Sequence, residues 1–414
     1  MRNSYLETAL VCSAGKPLSV TKTRWASALR QGSCYFPCFL FLSCLSFAEP
    51  QAQKATSFSD FRPRREMAGK SFVGQKACAD CHKSKTQTQS HTAMAKALTI
   101  ATESEVLRSH PKMTFRSGQY SFEILSEGGQ NLYRVSDGQD TLSEPILYAF
   151  GNAHVAQTYV YRRNGKLYEG RVSYYTAIDG LDWTIGDVLN PAPSVEDAAG
   201  RDIDSDEARN CFSCHGTAAV VDAKLQLGHM VPGVTCEACH GPGGSHIAAR
   251  LVAPEASGDI FNPKILDAET LSQEFCGACH RGVDAVAMMP DLGGINNVRF
   301  QPYRLFNSRG HDPQNPQFAC TTCHDPHVGL QHGGGAYDAK CTTCHSPHAS
   351  ERRAREQKEA SGKLPAASDS GKSCPVASER CVSCHMPKVE IPGAHFKFTD
   401  HRIRVVRPGD PYPY

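Results

Sequence analysis

Apolar and polar residues alternate along the stretch from residue 113 to residue 185. Turns that contain glycine, such as Gly128-Gly129 and Asn164-Gly165, separate the alternating segments, which lie at 114–115, 120–125, 131–135, 157–161 and 167–175. Alternation with a period of two places every second side chain on one face, as in a half-buried β-strand. The sequence therefore predicts an antiparallel β meander within an insert over residues 113–200.

The chain on either side of this insert shows no such alternation. Residues 83–100 are rich in Ala, Lys and Gln, which favour helix, so we expect a helix there that carries His91. After residue 200 we expect only short helices and loops. This difference divides the chain into a β-rich insert and two flanking regions of another kind.

One five-residue phrase, Cys-x-x-Cys-His, occurs seven times, and we number these motifs 1 to 7 in chain order. The cysteines are Cys78, Cys81, Cys211, Cys214, Cys236, Cys239, Cys276, Cys279, Cys320, Cys323, Cys341, Cys344, Cys381 and Cys384. The histidines are His82, His215, His240, His280, His324, His345 and His385. In a c-type haem site the two thiols bond to the porphyrin vinyl groups and the adjacent imidazole binds the iron. The sequence therefore predicts seven covalently attached haem c groups.

A zinc ribbon is the main structural alternative for a single pair of these motifs. Seventeen residues separate Cys323 from Cys341, which is within the spacing of such ribbons. A histidine after each of seven motifs is not required by a ribbon, a redox dithiol or a disulfide framework. We therefore prefer haem attachment.

The density of motifs bears on the fold. From Cys211 to His401 six motifs fall within 191 residues, or about 32 residues per haem, which is too little protein for an ordinary core. We expect a mainly α and irregular multihaem cytochrome c, in which haems pack the core between short helices and loops. The antiparallel β insert would lie between the first and second haem sites.

The expected organisation starts with a signal peptide, because the apolar run from Tyr35 ends in the small-residue site Ser46-Phe47-Ala48. Its basic leader is unusually long, so we expect the true translation start to differ from Met1. Acylation of Cys44 is an alternative that would attach the protein to a membrane. The predicted segments are a signal peptide (1–48), a linker (49–71), a first haem segment (72–112), the β insert (113–200), a haem-dense region (201–348), a second linker (349–380) and a C-terminal haem segment (381–414).

The charge balance argues against a nucleic-acid partner. The whole chain has a formal net charge of +2, and residues 1–48 carry five cations and one anion, so a chain that starts after Ala48 would carry −2. Two propionates and a ferric core on each haem would bring this to roughly −9, and reduction to roughly −16. Redox partner proteins are therefore expected instead, namely a quinol-linked donor and a terminal acceptor or reductase.

Eleven histidines lie outside the motifs and are available for seven distal positions, so bis-histidine ligation of every haem is feasible. The candidates include His154 at a predicted turn, His246 six residues after His240, and His327 and His348 in the repeated region 320–348.

Several phrases resemble those of exported multihaem cytochromes of the cytochrome c-554 type, a group related to cytochrome c nitrite reductase and hydroxylamine oxidoreductase. They are Phe72-Val-Gly before motif 1, Pro232-Gly-Val-Thr-Cys236 with His240-Gly-Pro-Gly, and His385-Met-Pro-Lys with Thr399-Asp-His401-Arg-Ile. The resemblance implies that His91, His246 and His401 are distal ligands of neighbouring haems. No Cys-x-x-Cys-Lys occurs, so the lysine-ligated catalytic haem of nitrite reductase is absent.

These observations predict an exported carrier of single electrons in the periplasm or at the cell surface, and electron transfer rather than catalysis. Two alternatives stay open. One is an oxidoreductase that acts on a small nitrogen or sulfur compound at a five-coordinate haem. The other is a subunit of an extracellular cytochrome filament.

Overall fold

The computed structural model describes residues 71–186, 192–255, 260–312, 318–333, 335–345, 374, 377, 379–407 and 409–413. The predicted signal peptide, nearly all of the first linker and most of the second lie outside these ranges, as do Cys44 and His348. Within the described ranges, no helix combines the length and apolar character that a membrane crossing requires.

The largest regular unit is a nine-stranded sheet in which all pairs are antiparallel. Strands β2 to β8 follow one another as a meander, while β1 pairs with β5 and β9 pairs with β7. The strands are β1 (Leu98–Ile100), β2 (Lys112–Ser117), β3 (Tyr120–Glu127), β4 (Gln130–Ser136), β5 (Thr141–Phe150), β6 (Ala156–Arg163), β7 (Lys166–Tyr175), β8 (Gly180–Trp183) and β9 (Gly200–Ile203). The antiparallel insert expected from the alternation is therefore present.

The burial of alternate side chains explains this sheet. Along β3, Tyr120, Phe122 and Ile124 are buried and the residues between them are half-buried. Tyr133 and Tyr159 are also fully buried and belong to the same apolar cluster. This cluster is the largest apolar core in the described part of the chain, so the sheet has an ordinary core of its own.

The helices are short. They are α1 (Gln75–Gln89), α2 (Glu105–Ser109), α3 (Val195–Ala199), α4 (Ser205–His215), α5 (Cys236–His240), α6 (Gly244–Val252), α7 (Gly277–His280), α8 (Val283–Ala287), α9 (Gln301–Phe306), α10 (Cys320–Cys323), α11 (Asp338–His345) and α12 (Cys381–His385). A π-helical segment, Thr270–Cys276, runs directly into α7, and 3₁₀ turns form at Ala101–Glu103, Pro263–Ile265 and Pro290–Arg299.

After Ile203 the described strands have two or three residues each. They pair as β10 (Gly216–Thr217) with β13 (Val231–Pro232), β11 (Val220–Val221) with β12 (Lys224–Leu225), and β14 (Lys388–Glu390) with β15 (Lys397–Thr399). The expectation of little regular sheet in this region agrees with the structure. The description of the whole chain as mainly α is not confirmed, because the largest regular unit among the described residues is the nine-stranded sheet.

The helix predicted over residues 83–100 was wrong in its bounds. Helix α1 ends at Gln89, whose side-chain amide donates to the carbonyl of Val234 at 2.7 Å. Residues 98–100 form β1 and pair with residues 148–150 of β5. Strand pairing and this tertiary hydrogen bond override the helix propensity of Ala and Lys. His91 therefore lies in a turn beyond the helix.

Candidate haem-binding sites

Each of the seven motifs lies on or beside a short helix. Motif 1 is inside α1, motif 2 ends α4, and motifs 3 and 7 are α5 and α12 themselves. Motif 4 runs from Cys276 through α7, motif 5 spans α10 and the next residue, and motif 6 ends α11. Residues three apart face the same side of a helix, so both thiols of a motif point towards one site.

The cysteines of different motifs lie next to each other. The thiols of Cys78 in motif 1 and Cys236 in motif 3 are in hydrogen-bonding contact, and that contact, with burial, raises the pKa of Cys78 above its ordinary value. The thiols of Cys276 and Cys320 make the same kind of contact between motifs 4 and 5, and it likewise raises the pKa of Cys276. These sulfurs are the atoms that thioether bonds to haem would use.

Two further contacts and two electrostatic interactions extend this arrangement. The thiol of Cys214 in motif 2 lies 3.7 Å from the carbonyl oxygen of Ala278 in motif 4. Cys239 in motif 3 interacts electrostatically with Cys276 in motif 4, and Cys344 in motif 6 interacts in the same way with Cys323 in motif 5. A contact between Cys341 and Cys381 joins motif 6 to motif 7. All seven motifs therefore belong to one connected cluster.

Three motif histidines face a histidine from another part of the chain. The ring centroids of His82 and His246 are 6.5 Å apart with 20° between the ring planes. The other pairs are His240 with His327, at 6.0 Å and 19°, and His324 with His401, at 6.3 Å and 42°.

The separations fit a metal ion between the rings. An imidazole nitrogen binds a metal at about 2.0–2.1 Å, so two imidazoles on opposite sides of one ion have centroids about 6.4 Å apart. His246 also has a buried Nδ1 without a hydrogen-bond partner among the described residues. Each pair links two motifs. His246 follows motif 3 and faces motif 1, His327 follows motif 5 and faces motif 3, and His401 follows motif 7 and faces motif 5.

Hydrogen bonds fix the orientation of several of these imidazoles. The Nδ1 atoms of His215, His240 and His385 lie 2.9 Å from the carbonyl oxygens of Ala97, Phe261 and Arg404 respectively. An imidazole that donates through Nδ1 keeps Nε2 as the free ligand atom, and metal-binding histidines commonly do so.

The distal candidates show the same feature. Nδ1 of His327 lies 2.9 Å from Asp325 Oδ1, and Nδ1 of His401 lies 3.0 Å from the carbonyl oxygen of Thr399. Nδ1 of His91 lies 2.8 Å from the carbonyl oxygen of Gln87, although the ring of His91 is exposed. Each of these three side chains therefore has Nε2 available.

Burial favours the neutral form of four of the six facing imidazoles. Desolvation lowers the pKa of His240, His246 and His324 below the ordinary value, and it lowers that of His401 to about 4. The neutral imidazole is the form that binds metal, so these side chains hold no proton that iron would have to displace at neutral pH.

Other histidines are held in different ways. Carboxylates engage Nε2 of His110, His311 and His395, through Asp179, Glu269 and Asp182 respectively, at 2.7–3.0 Å. The ring of His154 lies 5.7 Å from that of His332 and 5.6 Å from that of Phe396, so the structure brings it beside another histidine that is outside the motifs. The ring of His215 packs edge-on against Phe150 at 5.2 Å.

The sequence analysis missed the polar side chains that support these sites. Arg304 and Asp400 form a fully buried ion pair with two contacts, Nε to Oδ1 at 2.8 Å and Nη2 to Oδ2 at 2.9 Å. Asp400 directly precedes His401. The carboxylate of Asp400 also accepts a hydrogen bond from Arg404 at 2.6 Å. The phrase Thr399-Asp-His-Arg-Ile predicted a ligand at His401, but the aspartate before it, which marks the buried ion pair, was not interpreted.

The motifs and the facing imidazoles form an arrangement that is typical of multihaem c-type cytochromes. Residues 189–241, which include motifs 2 and 3, match the family described as cytochrome c554 and c-prime. That match agrees with the resemblance drawn from the motif phrases. A solved structure described as the outer cell wall cytochrome OcwA is 15% identical, with a TM-score of 0.41, and the alignment covers 81% of this chain and 80% of that one. No curated protein matches the sequence.

Proposed function

We propose that the protein is a heptahaem c-type cytochrome that carries single electrons along a contiguous array of haems. The observation that carries this proposal is the connected cluster of motif cysteines. Each haem, when bound, supplies an iron that gains or loses one electron. The chain itself attaches the haems, supplies their axial ligands and excludes water from them.

The facing histidines supply the proposed axial ligands. We assign His82 and His246 to haem 1, His240 and His327 to haem 3, and His324 and His401 to haem 5. The centroid separations of 6.0–6.5 Å support each pair. His215, His280, His345 and His385 are the proposed proximal ligands of haems 2, 4, 6 and 7, with His91, His154 and His348 as the candidate distal ligands among them. Bis-histidine ligation suits electron transfer at low potential.

The thiol contacts suggest the order of the array. Haems attached to neighbouring sulfurs must have neighbouring porphyrin edges, which supports the order 1, 3, 4, 5, 6, 7. Haem 2 would lie beside haem 4, because Cys214 contacts Ala278. Each distal histidine also belongs to the segment of another haem in this order. Along the proposed array from haem 1 to haem 7, each haem would therefore lie beside the next.

The haems would also supply the core of the C-terminal half. The described residues from 260 onward form two small apolar clusters, one around Leu271 and one around Val298 and Ile391. That is little apolar burial for the number of residues involved. The segments proposed as haem-binding, 72–112, 201–348 and 381–414, are those that carry motifs, and the insert over 113–200 is the one with its own apolar core.

We further propose export to the periplasm or the cell surface, because haem attachment follows export in bacteria and an apolar run ends at Ala48. Lipidation of Cys44 would add a membrane anchor. The proposed partners are a quinol-linked donor and a terminal acceptor or reductase.

A spectroelectrochemical titration of the purified holoprotein tests the proposal. We expect reversible uptake of seven electrons per chain, with midpoints spread over a low-potential range. We expect no turnover when nitrite is added to the reduced protein or when hydroxylamine is added to the oxidised protein. Fewer than seven electrons would contradict the haem count. Rapid reoxidation by nitrite, or rapid reduction by hydroxylamine, would replace the carrier hypothesis with the enzyme hypothesis.

A further inference from the structure

We infer that Glu237 is a positioning residue that sets the separation between His82 and His246, and this inference rests on the haem 1 ligand pair proposed above. Glu237 lies inside motif 3, directly after Cys236. Its carboxyl group is neither a haem-attachment atom nor an expected iron ligand. Its contacts nevertheless reach both histidine-bearing helices.

The carboxylate of Glu237 is 1% exposed and accepts three backbone hydrogen bonds. Oε1 accepts from the N–H groups of Val73 at 2.9 Å and Gly243 at 2.8 Å, and Oε2 accepts from the N–H of Gly74 at 2.8 Å. A buried carboxylate must have its oxygens satisfied, and here backbone donors from two distant segments satisfy them.

Two of these donors belong to N-cap residues, which directly precede a helix. Gly74 is the N-cap of α1, which carries His82, and Gly243 is the N-cap of α6, which carries His246. Neither helix is capped by a side chain of its N-cap residue. A carboxylate at a helix N-terminus accepts orphan N–H groups and interacts favourably with the helix dipole. Glu237 therefore caps both helices at once from its position on α5.

The two helix starts are also in direct contact. The N–H of Gly244 donates to the carbonyl of Ser71 at 3.1 Å. A Cβ added at Gly244 would lie 2.7 Å from Ser71 Oγ, and one added at Gly243 would lie 3.0 Å from Val73 Cγ2. The glycines of the Gly241-Pro-Gly-Gly244 phrase thus permit an approach that larger residues would prevent, and the carboxylate fixes it.

The consequence is a fixed distance between two imidazoles from distant parts of the chain. His82 and His246 face each other at 6.5 Å only while the N-termini of α1 and α6 remain adjacent. Without the carboxylate, the buried N–H of Gly243 and the half-buried N–H groups of Val73 and Gly74 lose their acceptor, which favours separation of the helices and entry of water. His246 is then the ligand that moves, because His82 is tied to Cys81 and its haem.

The test compares oxidised holoproteins by intact mass and low-temperature EPR. Glu237→Ala removes all three acceptors. Glu237→Gln keeps one oxygen for Val73 and Gly243 but places an NH₂ group opposite the N–H of Gly74. His246→Ala provides the reference signal for loss of the distal ligand. Thr321→Ala, an exposed residue at the same place in motif 5, is the matched control.

We expect Glu237→Ala to keep seven haems and to show a high-spin ferric signal close to that of His246→Ala, about one haem equivalent above the unmodified protein. Glu237→Gln should show a smaller part of that signal, and Thr321→Ala none. Adding Glu237→Ala to His246→Ala should add no further high-spin haem. If Glu237→Ala does not give holoprotein, the high-spin ferric signal of Glu237→Gln alone decides whether Glu237 positions His246.

Two results would overturn the inference in distinguishable ways. If both Glu237 variants match the unmodified protein while His246→Ala becomes high-spin, the ligand pair stands and the positioning role of Glu237 is wrong. If His246→Ala itself remains low-spin, the proposed ligand pair of haem 1 is wrong, and the role of Glu237 fails with it.

Discussion

Replacement of Arg304 by methionine probes the buried ion pair that holds the segment of His401. Methionine keeps most of the side-chain volume and removes the positive charge. Arg304 and Asp400 are both without solvent exposure, and they contact each other through two N–O pairs at 2.8 and 2.9 Å. Asp400 would remain as a buried carboxylate that has lost its main partner.

The expected destabilisation follows from these contacts. Removal of one partner from a buried ion pair costs about 3–5 kcal/mol. Asp400 would keep the guanidinium of Arg404 at 2.6 Å and the N–H of Arg402 at 3.0 Å, which favours the lower end of that range. Arg304 also donates to the carbonyl of Pro413 at 2.7 Å and lies 4.6 Å from the ring of Tyr412. We therefore expect a loss of about 3–4 kcal/mol.

Guanidinium unfolding of the holoprotein, followed by circular dichroism, measures this loss. The exposed pair of Arg209 and Asp206, 3.4 Å apart, supplies the control, because Arg209→Met should cost no more than about 0.5 kcal/mol. The double variant Arg304→Met/Asp400→Leu should recover part of the stability, because neither fully buried charge then remains, while Arg404, whose side chain is 18% exposed, loses its contact with Asp400. A loss below about 1 kcal/mol, or a double variant equal to the sum of its singles, would refute the reasoning.

Three further outcomes are expected. In EPR, His327→Ala should produce one high-spin haem and His311→Ala, whose Nε2 contacts a carboxylate, should produce none; the reverse would contradict the haem 3 assignment. Gly233→Ala should lower the free energy of unfolding by more than about 2 kcal/mol and the thermal midpoint with it, because φ is +79° and the new Cβ would clash with the carbonyl of Ala95. An unchanged midpoint would contradict this. Hydrogen bonds from a tyrosine hydroxyl and a histidine lower the pKa of Asp179 below 3.8, so its contribution to stability exists above that pH and is lost as pH falls through the lowered pKa. The deficit of Asp179→Asn at pH 6 should therefore shrink as the pH falls through the lowered pKa, and a constant deficit would contradict the assignment.

The sequence predicted the features that depend on local pattern. Alternation located β3, β4, β6 and β7, and the region after residue 200 has the short helices and loops expected there. Strand β5 was not predicted because it contains Pro145 and its pairing with β6 shifts register between Ile146 and Tyr148. Its sequence is Thr-Leu-Ser-Glu-Pro-Ile-Leu-Tyr-Ala-Phe. Its place is decided by pairing with both neighbouring strands, which no local pattern reveals.

Features that join distant parts of the chain could not be predicted from the sequence. Val73 and Glu237 are 164 positions apart, and Arg304 and Asp400 are 96 positions apart. A glutamate inside a haem motif and an aspartate before a histidine look like exposed charges until tertiary packing buries them. His246 and His401 were candidates from the family resemblance and His327 from its residue type and position. The motif that each one faces depends on the packing of the helices.

The most direct test of the account is the intact mass of the oxidised holoprotein together with its quantitative low-temperature EPR spectrum. The account predicts a mass with seven haems, and low-spin ferric signals from haems 1, 3 and 5 that become high-spin one at a time in His246→Ala, His327→Ala and His401→Ala. A mass with fewer haems, or low-spin spectra that do not respond to these three substitutions, would contradict the proposed array of bis-histidine haems.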